Sequence, residues 1–391
     1  MTLLVFLLLM AAATAQNQPL KIIEANNRFT SDLYKQIIKT ETGNLILSPL
    51  SADTVLALLH SGCEGSTAQE LAQTLHLPND KKQIQTEEKN LLGQLQKNDK
   101  VACNIANALF AQKDFKIKDT FLTVAKDYFD ALSETLDFGK PQQAADTINK
   151  WVENKTHNVI KNLVTPDALT PDTVLVLVNA LRFKGNWSVQ FSVSNTQKGD
   201  FYRTANDVVK VDFLHHSRKH FKYHESKSLK AEFLELSFAN DDFSMVFVLP
   251  QAKDGLSELE KHACEVFDVS RQLESTYVNV AIPKFKFDNT MDLKATLQSL
   301  GASKIFDRAQ ADLSGISGKK GDLVVSKVVQ KAFIDLNEGG VEAAAATYVG
   351  VVATSVVSQP PKEIVFNRPF IYYILYKKCI LFAGRVKNPK Y

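Results

Sequence analysis

The chain lacks a pronounced excess of charge of either sign. Its 391 residues include 46 basic and 43 acidic side chains, which leaves a formal net charge of +3. Proteins that bind nucleic acid through bulk charge usually carry a clear basic surplus. The lysine-rich runs, such as Lys81-Lys82 and Lys113 to Lys118, have acidic residues nearby and are typical of solvated surfaces. The composition predicts no nucleic-acid partner and does not support polyanion binding.

Long apolar runs are also scarce. The run from Leu3 to Met10 is much shorter than the ~20 residues that a membrane-spanning helix needs. Ala13-Thr14-Ala15 follows it and fits the small-residue rule for signal cleavage, although no Lys or Arg precedes the run. We therefore expect a signal peptide over residues 1–15, a mature chain over residues 16–391, a secreted, extracellular protein and no membrane partner.

Cysteine is rare, and no metal-type spacing is present. The four cysteines are Cys63, Cys103, Cys264 and Cys379, which is too few for a disulfide scaffold in a chain of this length. His216, His220 and His224 are spaced by four, but on a strand successive ones would lie about 13 Å apart, too far for one metal ion. We predict no metal and no cofactor.

Local catalytic signatures are missing as well. Ser314-Gly-Ile-Ser-Gly318 is typical of a turn and matches neither a phosphate-binding loop nor a nucleophile elbow. No Cys/His or Ser/His/Asp set can be identified from local sequence, although such sets are assembled across a fold. The chain is therefore predicted not to be an enzyme.

Two tripeptides match the glycosylation sequon. They begin at Asn154 and Asn186. Asn154 lies in a polar, helix-like stretch that suits a surface glycan, whereas Asn186 precedes a tryptophan and is expected to be more crowded. Both remain candidate glycosylation sites, as expected for a secreted glycoprotein.

The hydrophobic periodicity predicts helices early in the chain and strands later. Helical stripes are carried by Phe29, Leu33 and Ile37, by Ile148, Trp151 and Val152, and by Leu293, Leu297 and Leu300. Strand-like runs cover 173–183, 243–249, 277–282, 323–336, 370–376 and 379–382. Because the two kinds of element do not alternate regularly, the pattern favours an α+β fold.

The segment from Asn337 to Val357 is unusual. It opens on Gly339-Gly340, continues with the alanines at 343–346 and ends in a β-branched run. At strand period, one face carries only small or β-branched residues from Val341 to Val351, which suits burial inside a sheet. The segment indicates a loop with a latent strand, with an ordinary edge strand or an Ala-rich helical turn as the simpler alternative.

Several motifs in order resemble those of the serpins, in particular the secreted invertebrate-type inhibitory members. The motifs are Asn44-Leu-Ile-Leu-Ser-Pro-Leu-Ser51, Asn179-Ala-Leu-Arg-Phe-Lys-Gly-Asn-Trp187, Pro283-Lys-Phe285, Gln330-Lys-Ala-Phe-Ile-Asp-Leu-Asn-Glu-Gly339, Phe366-Asn-Arg-Pro-Phe370 and Phe382-Ala-Gly-Arg-Val-Lys-Asn-Pro389. The resemblance implies one serpin domain over residues 16–391, with three β-sheets, roughly nine helices and an exposed reactive-centre loop.

The resemblance also implies the functional residues. It assigns a hinge to Glu338, Gly339, Gly340, Val341, Glu342, Ala343, Ala344, Ala345 and Ala346, and a sheet-opening region to Ser48, Ser51, Asn179 and Gln330. Three departures from the family pattern are Gln330, where many members carry histidine, Gly339, where a second glutamate is common, and Val341, where threonine or serine is common. A glutamine amide still donates and accepts hydrogen bonds, so we expect altered sheet opening and retained function.

Serpins trap a serine protease as a covalent acyl-enzyme, and the resemblance implies this function here. The family's usual spacing of sixteen residues from Glu338 reaches Thr354, so the bond Thr354–Ser355 is the predicted bait, with Ala353–Thr354 and Val357–Ser358 as alternatives. No Lys or Arg lies between Ala332 and Pro361, which favours an elastase-like target. Alternatives are a cysteine protease target, or a non-inhibitory carrier, chaperone or storage protein. We expect a monomer that is prone to polymerise.

Overall fold

The computed structural model describes residues 20–342 and 360–391. Nine α-helices lie within these residues, numbered here in chain order. They are α1 (Lys21–Ile37), α2 (Pro49–Gly62), α3 (Gly65–Thr74), α4 (Lys81–Gln96), α5 (Asp119–Phe129), α6 (Pro141–Lys155), α7 (Leu256–Lys261), α8 (Ala263–Val266) and α9 (Lys294–Ser299). The number of helices agrees with the expectation from the resemblance.

Six strands form a sheet at the centre of the molecule, in the order β10-β11-β12-β4-β2-β3, with β11 and β4 also paired directly. These strands are β2 (Val101–Gln112), β3 (Leu132–Leu136), β4 (Leu175–Asn186), β10 (Phe285–Asp292), β11 (Lys327–Leu336) and β12 (Gly340–Val341). β4 and β11 carry runs of apolar residues, chiefly leucine and valine in β4 and valine, phenylalanine and isoleucine in β11, and are largely buried, as central strands require.

The other sheet has nine strands. They are β1 (Leu45–Leu47), β5 (Gln197–Thr204), β6 (Asp207–Ser226), β7 (Ala231–Ser237), β8 (Phe243–Pro250), β9 (Glu274–Pro283), β13 (Lys362–Val365), β14 (Phe370–Tyr376) and β15 (Cys379–Val386). The first half of β6 pairs with β5 and the second half with β7, and the register along β9 shifts between His216 and Lys219. Through β6, the second and third sheets that the resemblance implied form one nine-stranded sheet here.

The main hydrophobic core lies on one side of the six-stranded sheet. Leu181, Phe183 and Ala332 point into it, together with the buried faces of α1 and α2. Ala180 and Val329 point to the opposite side and pack in a smaller cluster with α6. The alternation follows from the two-residue period of a strand and defines an inner and an outer face for every position in this sheet.

Several of the principal elements coincide with the hydrophobic patterns of the sequence. The expected strand 370–376 coincides with β14. The predicted run 173–183 covers most of β4, which spans Leu175–Asn186. Phe29 and Leu33 are fully buried on α1, and Ile148 is fully buried on α6. The α+β fold class is confirmed.

Candidate functional site

The site begins where the parallel strands β4 and β11 separate. Six residue pairs join them, from Val176–Lys327 to Leu181–Ala332. Beyond this point β12 lies between the two strands, with Val341 opposite Leu336 of β11 and opposite Gly185 of β4. The hinge therefore already occupies the mouth of the gap between β4 and β11.

A tight turn brings the hinge back into this gap. Asn337 N–H donates to the Gly340 carbonyl at 2.9 Å, and Gly340 N–H donates to the Asn337 carbonyl at 3.2 Å. Gly340 has φ +151°, and a Cβ at this position would lie 2.0 Å from the Gly185 carbonyl oxygen. Only glycine allows this close approach of β12 to β4, which explains the second glycine of the hinge.

Glu338 anchors the start of the hinge. Its carboxylate accepts hydrogen bonds from Thr196 Oγ1 at 2.7 Å and from Lys284 Nζ at 3.2 Å. Burial acts to raise the pKa of Glu338, but these hydrogen bonds outweigh it and leave the pKa below its ordinary value. A carboxylate held ionised between two donors fixes the point from which the loop departs.

Trp187 packs directly against the same turn. Its backbone N–H donates to the Gly339 carbonyl at 2.8 Å, and its indole Nε1–H donates to the Asn337 carbonyl at 3.2 Å. The indole ring stacks on Phe238 with 4.7 Å between the centroids. A change in the position of the hinge would therefore change the surroundings of the Trp187 indole.

Val341 and Glu342 end the described part of the hinge. Val341 is 1% exposed and belongs to the main core, whereas Glu342 has a left-handed φ of +50° and turns its carboxylate to Arg182. Arg182 Nε donates to Glu342 Oε2 at 2.6 Å. Burial raises the pKa of the Glu342 carboxyl above its ordinary value despite the guanidinium.

The predicted sheet-opening residues meet further along the gap. Gln330 Nε2 donates to Asn179 Oδ1 and to the Ser48 carbonyl, each at 2.7 Å, and Gln330 Oε1 accepts from Ser48 N–H at 3.0 Å. All three residues are fully buried. Ser51 lies one turn deeper and donates to Asn107 Oδ1 at 3.1 Å. The glutamine thus ties β4, β11 and the start of α2 together where the sheet has to open.

Some of the predicted residues fall outside this description. Ala343, Ala344, Ala345 and Ala346, and the predicted bait at Thr354 and Ser355, lie outside the described residues, as does the expected signal peptide. Asn154 is exposed near the end of α6, and Asn186 is exposed while its neighbour Trp187 is buried. Both asparagines are exposed, so the neighbouring Trp187 does not cover Asn186 of the second sequon.

No metal or membrane-spanning feature emerges within residues 20–342 and 360–391. His216, His220 and His224 lie on β6, and the described residues contain no group of three or more potential ligands placed to hold a metal ion. The thiols of all four cysteines are free, with Cys264 exposed and the others buried. No helix in the described ranges is both long and apolar enough to cross a bilayer.

Two important side chains were missed by the sequence analysis. Arg182 lies inside the motif that starts at Asn179, and Lys284 lies inside Pro283-Lys-Phe285, yet neither was singled out. Their partners are Glu342 and Glu338, more than fifty positions away along the chain. The sequence offered only one sign of these ion pairs, namely a basic residue in each strand motif and two acidic residues in the hinge. Which of these residues pair with each other depends on the sheet register.

Comparison with known proteins agrees with this geometry. Residues 24–389 match the family model described as serpin (serine protease inhibitor). Alaserpin of Manduca sexta is 34% identical over 94% of this chain and 93% of its own length. The crystal structure of Serpin48, described as a highly specific serpin of the insect Tenebrio molitor, is similar with a TM-score of 0.90 and 41% identity, covering 96% of this chain and all of that one.

A serpin-fold structure that holds a small-molecule ligand is also similar. Human thyroxine-binding globulin complexed with thyroxine has a TM-score of 0.86 and 27% identity, covering 95% of this chain and 99% of that chain. The shared architecture therefore hosts at least two kinds of activity, and fold alone does not choose between them. By its family model, its relatives and its fold, the chain belongs to the serpin family.

Proposed function

We propose that the protein is a secreted suicide inhibitor of serine proteases. A protease attacks the loop after Thr354 and forms an acyl-enzyme, and the loop then inserts between β4 and β11 as a new strand. Insertion carries the attached protease away and distorts its active site before water can hydrolyse the ester. The target protease is the partner, and the covalent complex is the product.

The observation that carries the proposal is the agreement of two registers around the gap. Val341 pairs with Gly185 in β4 and with Leu336 in β11. Continued in the antiparallel sense, both pairings bring Ala345 to the Leu181–Ala332 pair and Gly350 to the Val176–Lys327 pair. An inserting strand would therefore meet both neighbours in register along the whole gap.

The same register explains the residue types of the hinge. Positions 343, 345, 347 and 349 would share the inner face with Val341, where the register neighbours Phe183, Leu181 and Ala332 are buried. Small side chains pass through the opening gap with least steric resistance, and each larger apolar side chain that becomes buried contributes roughly 1.5–3 kcal/mol. The alanines thus favour rapid entry, and the later β-branched residues favour a stable product.

Opening of the six-stranded sheet requires specific contacts between β4 and β11 to break. The six residue pairs between β4 and β11 have to separate, and position 347 would enter between Asn179 and Gln330. The 2.7 Å hydrogen bond between these two amides must break before residue 347 can enter. An intact protein held closed by such contacts is stable for kinetic reasons, which is the condition that a loop-insertion inhibitor requires.

The specificity follows from the bait sequence. Val352-Ala353-Thr354 offers small and medium apolar residues and no cation. With this bait, the carboxylate at the base of a trypsin-like pocket would be buried without a cation to pair with. A deep pocket that accepts aromatic side chains would be poorly filled by threonine. We therefore assign elastase-like serine proteases as the preferred targets, with a cysteine protease that reads the preceding residue as the second choice.

A non-inhibitory role as a carrier is the competing function, because a thyroxine-binding globulin shares the fold. Charged or proline residues on the inner face of the hinge would favour that role. Here Val341 is uncharged and already buried in the sheet, and the next inner positions are alanines. The hinge chemistry supports inhibition.

Incubation with elastase-, chymotrypsin- and trypsin-like proteases, followed by denaturing gel electrophoresis, tests the proposal. We expect a covalent complex with elastase and none with trypsin. The released C-terminal peptide should begin at Ser355 by mass spectrometry. The matched variant Thr354→Arg should gain trypsin trapping. Elastase that degrades the chain without a complex would refute inhibition, and a peptide that starts elsewhere would refute the bait.

The cellular context is a separate part of the proposal. The apolar run at 3–10 and the small residues at 13–15 support export, and the exposed Asn154 and Asn186 support glycan attachment. Expression in insect cells should give a mature N-terminus near Gln16 and a mass that falls after glycosidase treatment. Retention of the protein inside the cells would contradict secretion. We propose a monomer that polymerises when its loop enters the sheet of another copy.

A further inference from the structure

Arg182 and Glu342 form an ion pair at the mouth of the gap between β4 and β11. Arg182 Nε lies 2.6 Å from Glu342 Oε2, and the two side chains are only 14% and 7% exposed. Surface ion pairs contribute little because water screens them, whereas partly buried pairs interact more strongly. This pair therefore holds the last described residue of the hinge against β4.

The sheet register shows what the pair obstructs. In the antiparallel register set by Val341 and Gly185, Glu342 would lie opposite Lys184, and Ala344 would lie opposite Arg182. Glu342 instead leaves the extended conformation, with φ +50°, and its carboxylate reaches down β4 to Arg182. The ion pair thus covers the place that Ala344 has to enter.

The neighbouring groups make Arg182 the principal holder of this carboxylate. Glu342 is the only acidic partner within 4.0 Å of Arg182 among the described residues, and Glu342 Oε1 has no hydrogen-bond partner among them. Asp335 receives the Glu342 backbone N–H on its carbonyl at 2.8 Å, while its own side chain pairs with Lys286. The backbone is anchored to β11 and the side chain to β4.

We propose that Arg182 is a positioning residue that holds the hinge at its present depth in the sheet. Release of Glu342 from Arg182 controls how readily the loop is presented to a protease and how fast it inserts. This inference rests on the proposed inhibitory function and adds a regulated step to it. The held state keeps Val341 in the sheet.

The first test measures the second-order rate of covalent complex formation with elastase. Arg182→Met, Glu342→Gln and the double variant remove the ion pair, whereas Lys286→Met removes a nearby ion pair that does not cover the gap. We expect each single variant to trap elastase about tenfold faster, which corresponds to 1.4 kcal/mol, with an unchanged stoichiometry. The double variant should be no faster than either single variant, because both remove the same interaction.

The second test does not depend on a protease. The chain contains two tryptophans, so Trp151→Phe leaves Trp187, which contacts the hinge turn, as the single fluorescent reporter. In this background Arg182→Met and Glu342→Gln should both change the Trp187 emission, and Lys286→Met should not. Glu342→Gln keeps the size and shape of the side chain at the end of β12, so it tests the idea even if Arg182→Met fails to fold.

The two tests separate the possible failures. Unchanged rates and unchanged emission in Glu342→Gln, or independent multiplication of the two single effects, would overturn the role of Arg182. If emission changes as expected but no protease is trapped by the unaltered protein, the inhibitory function fails and the role of Arg182 in holding the hinge stands.

Discussion

Placing a charge on the inner face of the inserting strand should convert the inhibitor into a substrate. The register brings residue 345 between Leu181 and Ala332, which are both fully buried. In Ala345→Glu the carboxyl would enter this apolar layer without a partner. Ala344→Glu is the matched control, because the same register brings residue 344 to the outer face beside Arg182.

The magnitude follows from the burial. A fully buried carboxyl typically has its pKa raised by about 3–5 units, which is enough for a glutamate with an ordinary pKa of about 4.3 to take up a proton at pH 7. Protonation at pH 7 costs about 1.4 kcal/mol for each of the about 2.7 pH units that separate the ordinary pKa from pH 7, so insertion of Ala345→Glu should be less favourable by about 4 kcal/mol. If only a third of this appears in the barrier to insertion, the rate falls about tenfold, and hydrolysis of the acyl-enzyme then becomes faster than insertion.

The assay titrates elastase with each variant and measures the moles of protein consumed per mole of protease inhibited. We expect Ala345→Glu to be cleaved without a stable complex and Ala344→Glu to remain an inhibitor. A full yield of complex from Ala345→Glu, or the opposite order of the two variants, would refute the derived register and the inner position of residue 345.

Two further predictions concern the sheet-opening cluster and the core. Gln330→Ala removes the hydrogen bonds to Asn179 and Ser48 and leaves buried polar groups unpaired, at a cost of about 1–3 kcal/mol. This variant should polymerise faster on mild heating, as measured by native gel electrophoresis. A peptide covering 343–353 should block the formation of the polymers. An unchanged rate of polymerisation would show that this cluster does not hold the sheet closed. Burial raises the pKa of Glu88 to about 8, above the ~4.3 of an unfolded chain, so ionisation costs stability as pH rises through this window. Glu88→Gln should therefore flatten the fall in melting temperature between about pH 5 and 8, whereas the exposed control Asp127→Asn should not, and equal slopes for all three proteins would contradict a buried Glu88.

The sequence predicted the fold well where periodicity was strong. β14 and most of β4 were identified because near-continuous apolar runs mark buried strands. β6 was harder, because its twenty residues alternate in exposure, pass through a register shift and contact a different neighbour in each half. The joining of two expected sheets by this strand depends on tertiary pairing, which local patterns do not encode.

The site was predictable in part for the same reason. Family resemblance named Asn179, Gln330 and the glycines of the hinge, and the structure brings the two amides within 2.7 Å of each other. The depth of the hinge and the Arg182–Glu342 pair were not foreseen. They arise from long-range register and from a left-handed residue at the hinge, and neither leaves a recognisable pattern in one sequence.

The central claim is that the loop becomes a strand of the six-stranded sheet after cleavage. The most direct measurement compares the melting temperature of the intact protein with that of the same protein nicked once in the loop by a non-target protease. Insertion should add paired backbone and buried side chains between β4 and β11, so we expect the nicked protein to unfold at a markedly higher temperature. An unchanged or lower melting temperature after clean nicking would contradict insertion and the inhibitory mechanism built on it.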